Sequence, residues 1–217
     1  MKLISKEQKI YIAGHNGMVG SAIKRKLLSK DYTNLLVASK KDLDLRDSNK
    51  VENFFKINKP EVVILAAAKV GGIFANDIFP ADFIFDNLNI EINIIKSAFK
   101  NDVKRFLFLG SSCIYPKLAP QPLLEEHLLT GELETTNEWY AIAKIAGIKM
   151  CDALRKQYKF DAISLMPTNL YGPKDNYHPE NSHVFASLIK KYSDAKFFKK
   201  EIVSCWGSGS PKREFLH

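Results

Sequence analysis

Lys9-Ile10-Tyr11-Ile12-Ala13-Gly14-His15-Asn16-Gly17-Met18-Val19-Gly20 is the stretch that decides the fold of this chain. Its first five residues read as a buried strand, and residues 21–30 carry apolar positions at helical spacing. Between them stands a glycine at every third position. Glycines there let the backbone turn tightly, approach a pyrophosphate closely and pack the helix on the strand. The helix N-terminus then offers free N–H groups to the phosphates. The spacing is Gly-x-x-Gly-x-x-Gly, not the Gly-x-Gly-x-x-Gly of the standard dinucleotide fingerprint. A glycine-rich turn without a ligand is the competing reading.

Outward from this opening, apolar strand-like runs recur at residues 34–38, 61–65, 105–109 and 162–166, with amphipathic helical stretches at 81–101 and 140–158. Strands apolar nearly throughout and alternating with helices predict an α/β fold, a doubly wound parallel sheet of the Rossmann type. Such sheets bind ligands beyond the carboxyl ends of their strands. Residues 14–20, 66–72, 110–115 and 167–172 all follow such ends. The expected division is a dinucleotide-binding domain over residues 1–172 and the beginning of a smaller substrate domain over 173–217. In the latter the pattern predicts a helix at 184–195, a strand at 202–206 and a turn at 207–211. The chain stops at Arg213-Glu214-Phe215-Leu216-His217 without a capping helix and reads as cut off.

With 217 residues, 46% hydrophobic and 26% charged, the composition is that of a globular protein with an ample core. No apolar run reaches the roughly 20 residues of a membrane helix, and the first residues lack the apolar core of a signal peptide. A cytoplasmic protein that does not engage membrane is the expectation. The three cysteines, Cys113, Cys151 and Cys205, are odd in number and widely spaced, against both a disulfide framework and structural zinc. The five histidines show no ligand spacing, so no metal is expected. The net charge of +8 is spread over scattered lysines without interleaved aromatics. It reads as solvated surface, or as a field that collects a phosphorylated substrate, rather than as a nucleic-acid site.

The second chemical signal is Tyr140 with Lys144, downstream of a strand that ends in Gly110-Ser111-Ser112. Residues four apart project from one helix face. An ammonium there can hold a phenol's pKa down, so that Tyr140 exchanges a proton with a substrate oxygen near neutrality. Ser111 would orient the same oxygen.

Together these residues resemble the extended short-chain dehydrogenase/reductase family, and within it the branch acting on GDP-bound 4-keto-6-deoxy sugars. The likeness is carried by residues 12–23, by Leu65-Ala66-Ala67-Ala68-Lys69-Val70-Gly71-Gly72-Ile73 and by Phe108-Leu109-Gly110-Ser111-Ser112-Cys113-Ile114-Tyr115-Pro116-Lys117. It continues through residues 140–149, Met166-Pro167-Thr168-Asn169-Leu170-Tyr171-Gly172-Pro173, Asn181-Ser182-His183-Val184 and Trp206-Gly207-Ser208-Gly209. The resemblance implies an NADPH-dependent enzyme that epimerises GDP-4-dehydro-6-deoxy-D-mannose at C3 and C5, then reduces C4 to give GDP-L-fucose. Family members are commonly homodimers.

The resemblance also assigns roles. Tyr140, Lys144 and Ser111 would serve reduction, while Cys113 and His183 would be the epimerisation acid/base pair. A buried cysteine is ordinarily a small core hydrophobe, but Cys113 stands two positions past Ser111 at the mouth of the sheet, which favours a reactive thiol; without the resemblance His183 reads as a loop hydrogen-bonder. NADP(H) contacts fall on Gly14, His15, Asn16, Gly17, Met18, Val19 and Gly20 at the pyrophosphate, and on Asp44 and Leu45 at the adenine. Leu109, Gly110, Ser111, Ser112, Lys144, Pro167, Thr168, Asn169, Leu170 and His183 would surround the nicotinamide end. Ala38 and Asn16 stand where relatives carry basic residues, so Lys40, beside Ser39 and Lys41, is the candidate for the 2′-phosphate. Lys191, Trp206 and Arg213 would bind the GDP-sugar; Lys191 also suits a solvated helix face, and Trp206 a core position. Alternatives are another NAD(P)-dependent nucleotide-sugar epimerase or dehydratase of this fold, and a non-catalytic dinucleotide-binding protein.

Overall fold

The computed structural model describes residues 4–178, 181–205, 207–210 and 212–217. Strand β1 (Ile10–Ala13) is buried at every position. Helix α1 (Met18–Leu28) follows the glycine turn. It starts three residues before the expected Ser21, because the Ser21 N–H closes a first turn on the Gly17 carbonyl at 2.9 Å. Strand β2 is only Leu35–Leu36, shorter than its apolar run.

Helix α2 (Ser48–Asn58) has a mostly polar sequence and goes unexpected in the pattern reading. Its start is set by Asp47, whose carboxylate accepts from the N–H groups of Asn49 and Lys50. Only Val51 and Phe55, one turn apart, are buried.

Strand β3 (Val62–Leu65) leads through a loop to α3 (Ile73–Ile78) and the long α4 (Pro80–Lys100). Strand β4 (Arg105–Leu109), α5 (Glu138–Tyr158) and β5 (Ala162–Leu165) complete the layered region. The sheet order is β2-β1-β3-β4-β5, every pairing parallel. From β1 the chain runs to the edge strand β2 and then crosses back to β3 on the other side. Strand order therefore reverses between β1 and β3, where open α/β sheets form their ligand crevice.

Register keeps the strand ends level: Ala13 faces Leu65, Leu65 faces Phe108, and Leu109 faces Leu165. Side chains alternate between the two faces. Tyr11, Ala13, Val63, Leu65, Phe106 and Phe108 join the buried core with Val51 and Phe55 of α2, Ile94, Ile95 and Ala98 of α4 and Ile145 and Ile148 of α5. Ile10, Ile12, Val62 and Ile64 pack on Ile23 and Leu27 of α1 on the other face. Helices on both sides of a parallel sheet give the doubly wound architecture expected from the pattern.

Past β5 the chain forms β6 (Asn169–Leu170), α6 (Val184–Phe197) and β7 (Phe215–Leu216). The partner of β6 is β7, in a small parallel ladder. This corrects the strand expected over 202–206: residues 202–205 are not in a strand, and it is β7 that supplies the pairing. Trp206 lies outside the described residues.

Candidate active site

The glycine turn is built as its spacing requires. Gly14 sits at φ +88°, and a Cβ there would meet the backbone of Ala66 and Ala67 at 2.7–2.8 Å. At Gly20 a Cβ would come within 2.2 Å of the Gly14 carbonyl oxygen, so α1 lies directly against the turn. Gly17 differs, because a Cβ there would meet only the Gly14 oxygen, at an ordinary 3.5 Å. Gly17 caps α1 without any side-chain hydrogen bond, and no acidic residue stands in the first turn. An open, uncapped helix N-terminus beside a glycine turn fits an anionic pyrophosphate.

Beside the turn, burial and the positive charges of Lys24 and Lys174 hold the His15 imidazole below its ordinary pKa. Both charges also suit an anionic ligand.

At the end of β4, Ser111 caps a 3-10 turn over Ser112–Ile114, its hydroxyl accepting from the Cys113 N–H. The Cys113 Sγ lies 3.1 Å from the same Ser111 oxygen. Burial pushes the Cys113 thiol up, opposed by the Ser111 hydroxyl and by the charge of Lys144. The ends of β4 and β5 are joined here: Gly110 N–H donates to the Leu165 carbonyl at 2.8 Å and Ser112 N–H to that of Pro167 at 3.3 Å. Ser111, Ser112, Cys113 and Pro167 thus share one corner of the crevice.

Helix α5 brings Tyr140 and Lys144 to that corner. The Lys144 ammonium lies 5.7 Å from the centroid of the Tyr140 ring and 4.8 Å from that of Phe108. Phe83 of α4 meets the Tyr140 ring edge-on at 6.5 Å. Burial pushes the Tyr140 phenol above its ordinary value, helped by the charges of Cys113 and Glu91 and opposed by a hydrogen bond with Ser111. This corrects the expectation of a depressed phenol. The ammonium stands near, but its charge is already matched by Glu91, whose Oε1 is 3.2 Å from Lys144 Nζ.

Two buried polar residues of α4, missed in the pattern reading, belong to this region. Asn87 accepts from Lys69 N–H at 2.8 Å and donates to the Lys69 carbonyl at 3.0 Å, fastening the loop after β3 to the helix. Glu91 stands one turn further along the same helix. A readable signal existed: two polar residues four apart on an otherwise apolar helix stripe.

The remaining candidates are distributed around this centre. Arg46 engages the Asp44 carboxylate at 2.7 Å and holds it down at about 2. Leu45 packs partly buried against the core, and its carbonyl accepts from Asn93 at 3.0 Å. Lys40 is exposed past the end of β2. Thr168 and Asn169 both donate to the Glu214 carbonyl, at 2.8 and 3.1 Å, which brings neighbouring Arg213 to the strand-end side of the sheet. Exposed His183 caps α6. Its segment abuts the loop after β3, where Gly72 N–H donates to the Asn181 carbonyl at 3.0 Å. No hydrogen bond joins His183 to Cys113 among the described residues. Lys191 donates to the Ser204 carbonyl at 3.2 Å.

Residues 10–217 match the model of the NAD dependent epimerase/dehydratase family. The chain belongs to this family. It is 61% identical over 212 residues to GDP-L-fucose synthase 1 of Arabidopsis thaliana, covering 98% of this chain and 66% of that protein. To the GDP-L-fucose synthase of Escherichia coli it is 56% identical over 211 residues, covering 97% of this chain and 66% of that protein. The chain thus spans just under two thirds of the length of these relatives. Among solved structures, a GDP-L-fucose synthetase of Naegleria fowleri bound to NADP superposes with a TM-score of 0.87 at 30% identity, covering 99% of this chain and 70% of that one. A GDP-D-glycero-L-gluco-heptose synthase of Campylobacter jejuni, crystallised with NADPH, gives 0.91 at 35% identity, covering 99% and 72%.

Proposed function

We propose that this family member binds NADP(H) and converts GDP-4-dehydro-6-deoxy-D-mannose to GDP-L-fucose, by epimerisation at C3 and C5 and reduction at C4. The observation that carries the reading is the convergence of Ser111, Cys113, Tyr140 and Lys144 beside the crevice that the glycine turn opens. Relatives named GDP-L-fucose synthase at 56–61% identity support the substrate class. The NADP- and NADPH-bound neighbours support the cofactor.

Gly14 to Gly20 would hold the pyrophosphate, Asp44 and Leu45 would meet the adenine, and Lys40 the 2′-phosphate. Leu109, Gly110, Ser112, Lys144 and Pro167–Leu170 would flank the nicotinamide. When bound, the dinucleotide supplies hydride to C4. Every other step belongs to the chain. The ketone acidifies the C–H bonds beside it, so Cys113 and His183 can remove a proton at one face and return one at the other. Ser111 and Tyr140 donate to the oxygen that becomes an enolate between those events. Tyr140 then protonates that oxygen as C4 is reduced. A phenol that burial keeps protonated suits a donor of this kind.

Residues 173–217 would form part of the sugar-nucleotide side, with Lys191 and Arg213 as diphosphate contacts. The outer side of α4 exposes Phe85 and Ile92, 65% and 43% accessible in the single chain. We read this stripe as a homodimer face in which α4 and α5 of two copies form a four-helix bundle. No described helix is long and apolar enough to cross a membrane. The free thiols of Cys113, Cys151 and Cys205 suit a reducing cytoplasm.

Tyr140→Phe tests the reading. It should lower reduction of the keto sugar by roughly a hundredfold or more, the scale of a lost general acid, and leave NADPH affinity nearly intact. A variant that turns over like the parent overturns the assignment. Retained NADPH binding with no turnover by either protein favours the non-catalytic alternative.

A further inference from the structure

Glu91 is the one acidic residue that the described structure buries completely, at 0% exposure, on the helix beside the candidate active site. Its neighbour Lys144 is 2% exposed. Apart from the Lys144 ammonium, 3.2 Å from Oε1, neither carboxylate oxygen has a hydrogen-bond partner among the described residues. A buried ion pair with unsatisfied lone pairs is a poor way to gain stability, since well-packed apolar residues often do as well or better. Packing also leaves room for this carboxylate. A Cβ at Gly147 would strike the Phe108 ring at 2.3 Å and Glu91 Oε2 at 2.9 Å.

We infer that Glu91 is a positioning residue: its carboxylate holds the Lys144 ammonium between the Phe108 and Tyr140 rings and controls how strongly that charge acts on the Tyr140 phenol. The inference deepens the proposed function and rests on it. With Glu91 ionised the pair is neutral as a unit, and the phenol feels little net field. With Glu91 protonated the ammonium stands uncompensated and favours the phenolate. Burial raises the Glu91 carboxyl to about 7 against the opposing charge of Lys144, so the change of state falls in the neutral range. The titratable groups facing the pair are Tyr140 and Cys151 of α5 and Cys113 after β4.

Glu91→Gln makes the neutral state permanent. Reduction requires the phenol proton, so its rate falls at alkaline pH as that proton is lost. In Glu91→Gln this alkaline limb should move to lower pH by about one unit or more, with kcat reduced near the parental optimum. NADPH affinity and sugar KM should stay within about threefold. A limb moved to higher pH, as when the unpaired ammonium sheds its own proton and no longer favours the phenolate, contradicts the inference. Glu91→Asp keeps the charge on a shorter stem and should restore part of the parental profile, also covering the case in which the glutamine variant folds poorly. An alkaline limb identical to the parent's overturns the inference while leaving the function standing if Tyr140→Phe is inactive.

A second measurement is independent of turnover. The 13C carboxyl signal of Glu91 in the ligand-free parent, assigned by its loss in Glu91→Gln, should titrate near neutrality and in step with the Nζ signal of Lys144. Titration in the ordinary carboxylate range, with the lysine signal unmoved, sinks the proposal even if no keto sugar is turned over.

Discussion

Cys113 and Ser111 show how far a single side chain's chemistry depends on its neighbours. The thiol rests on the serine hydroxyl at 3.1 Å, and burial keeps it protonated despite the nearby ammonium. In the proposed reaction it would enter as a thiol that must exchange its proton during the cycle. Cys113→Ser preserves size and replaces a soft, titratable group with one that scarcely ionises. Proton exchange at C3 and C5, followed as deuterium uptake from heavy water, should slow by roughly a hundredfold or more. Reduction of the unepimerised ketone should continue, because Tyr140 and Lys144 are untouched. Equal loss of both activities would place Cys113 in the scaffold instead. Tyr140, Lys144 and Ser111 were legible beforehand because spacing on a helix and position after a strand are both written in the chain. Glu91 left only a faint mark, its spacing from Asn87 on an apolar stripe, since a glutamate in an amphipathic helix ordinarily marks the wet face and it is the packing of α4 on α5 that turns it inward. The sign of the Tyr140 shift was hidden too, since burial of the phenol in the folded chain sets it, with Cys113 and Glu91 adding to it.

Elements here are delimited by capping and close approach more than by apolar periodicity. The glycine turn and α1 act as one piece: Gly20 lies where any side chain would enter the Gly14 carbonyl. Gly20→Ala should cost about 3 kcal/mol, a fall in Tm of roughly 5–10 °C by calorimetry, and should weaken NADP(H) binding as the turn is forced open. Gly17→Ala, with free space at its Cβ, should leave Tm nearly unchanged and affect binding alone. Equal Tm losses in the two variants would contradict this division of labour. The sheet strands were readable because a strand buried on both sides is apolar throughout. Helix α2 was not, because only two of its eleven residues reach the core and its limits come from the Asp47 cap. The strand expected at 202–206 failed for a nonlocal reason: pairing needs a partner, and β6 takes β7 instead.

Over the whole molecule, the level ends of β1, β3, β4 and β5 gather segments from four separate parts of the chain into one crevice, which is why those four stretches could be recognised together from the sequence. The proposed association face is a property of the surface and has no comparable local signature. Phe85→Asp should convert a dimer to a monomer by sedimentation, with the circular dichroism spectrum unchanged; an unaltered sedimentation coefficient would rule this stripe out as the dimer face. Asn87 has a broader consequence. It grips both the donor and the acceptor of Lys69 from within the folded interior. The segment beyond β3 is thereby preorganised for whatever docks against it. The conformational freedom a guest would otherwise have to quench has already been surrendered during folding, so association there should be fast and nearly rigid-body.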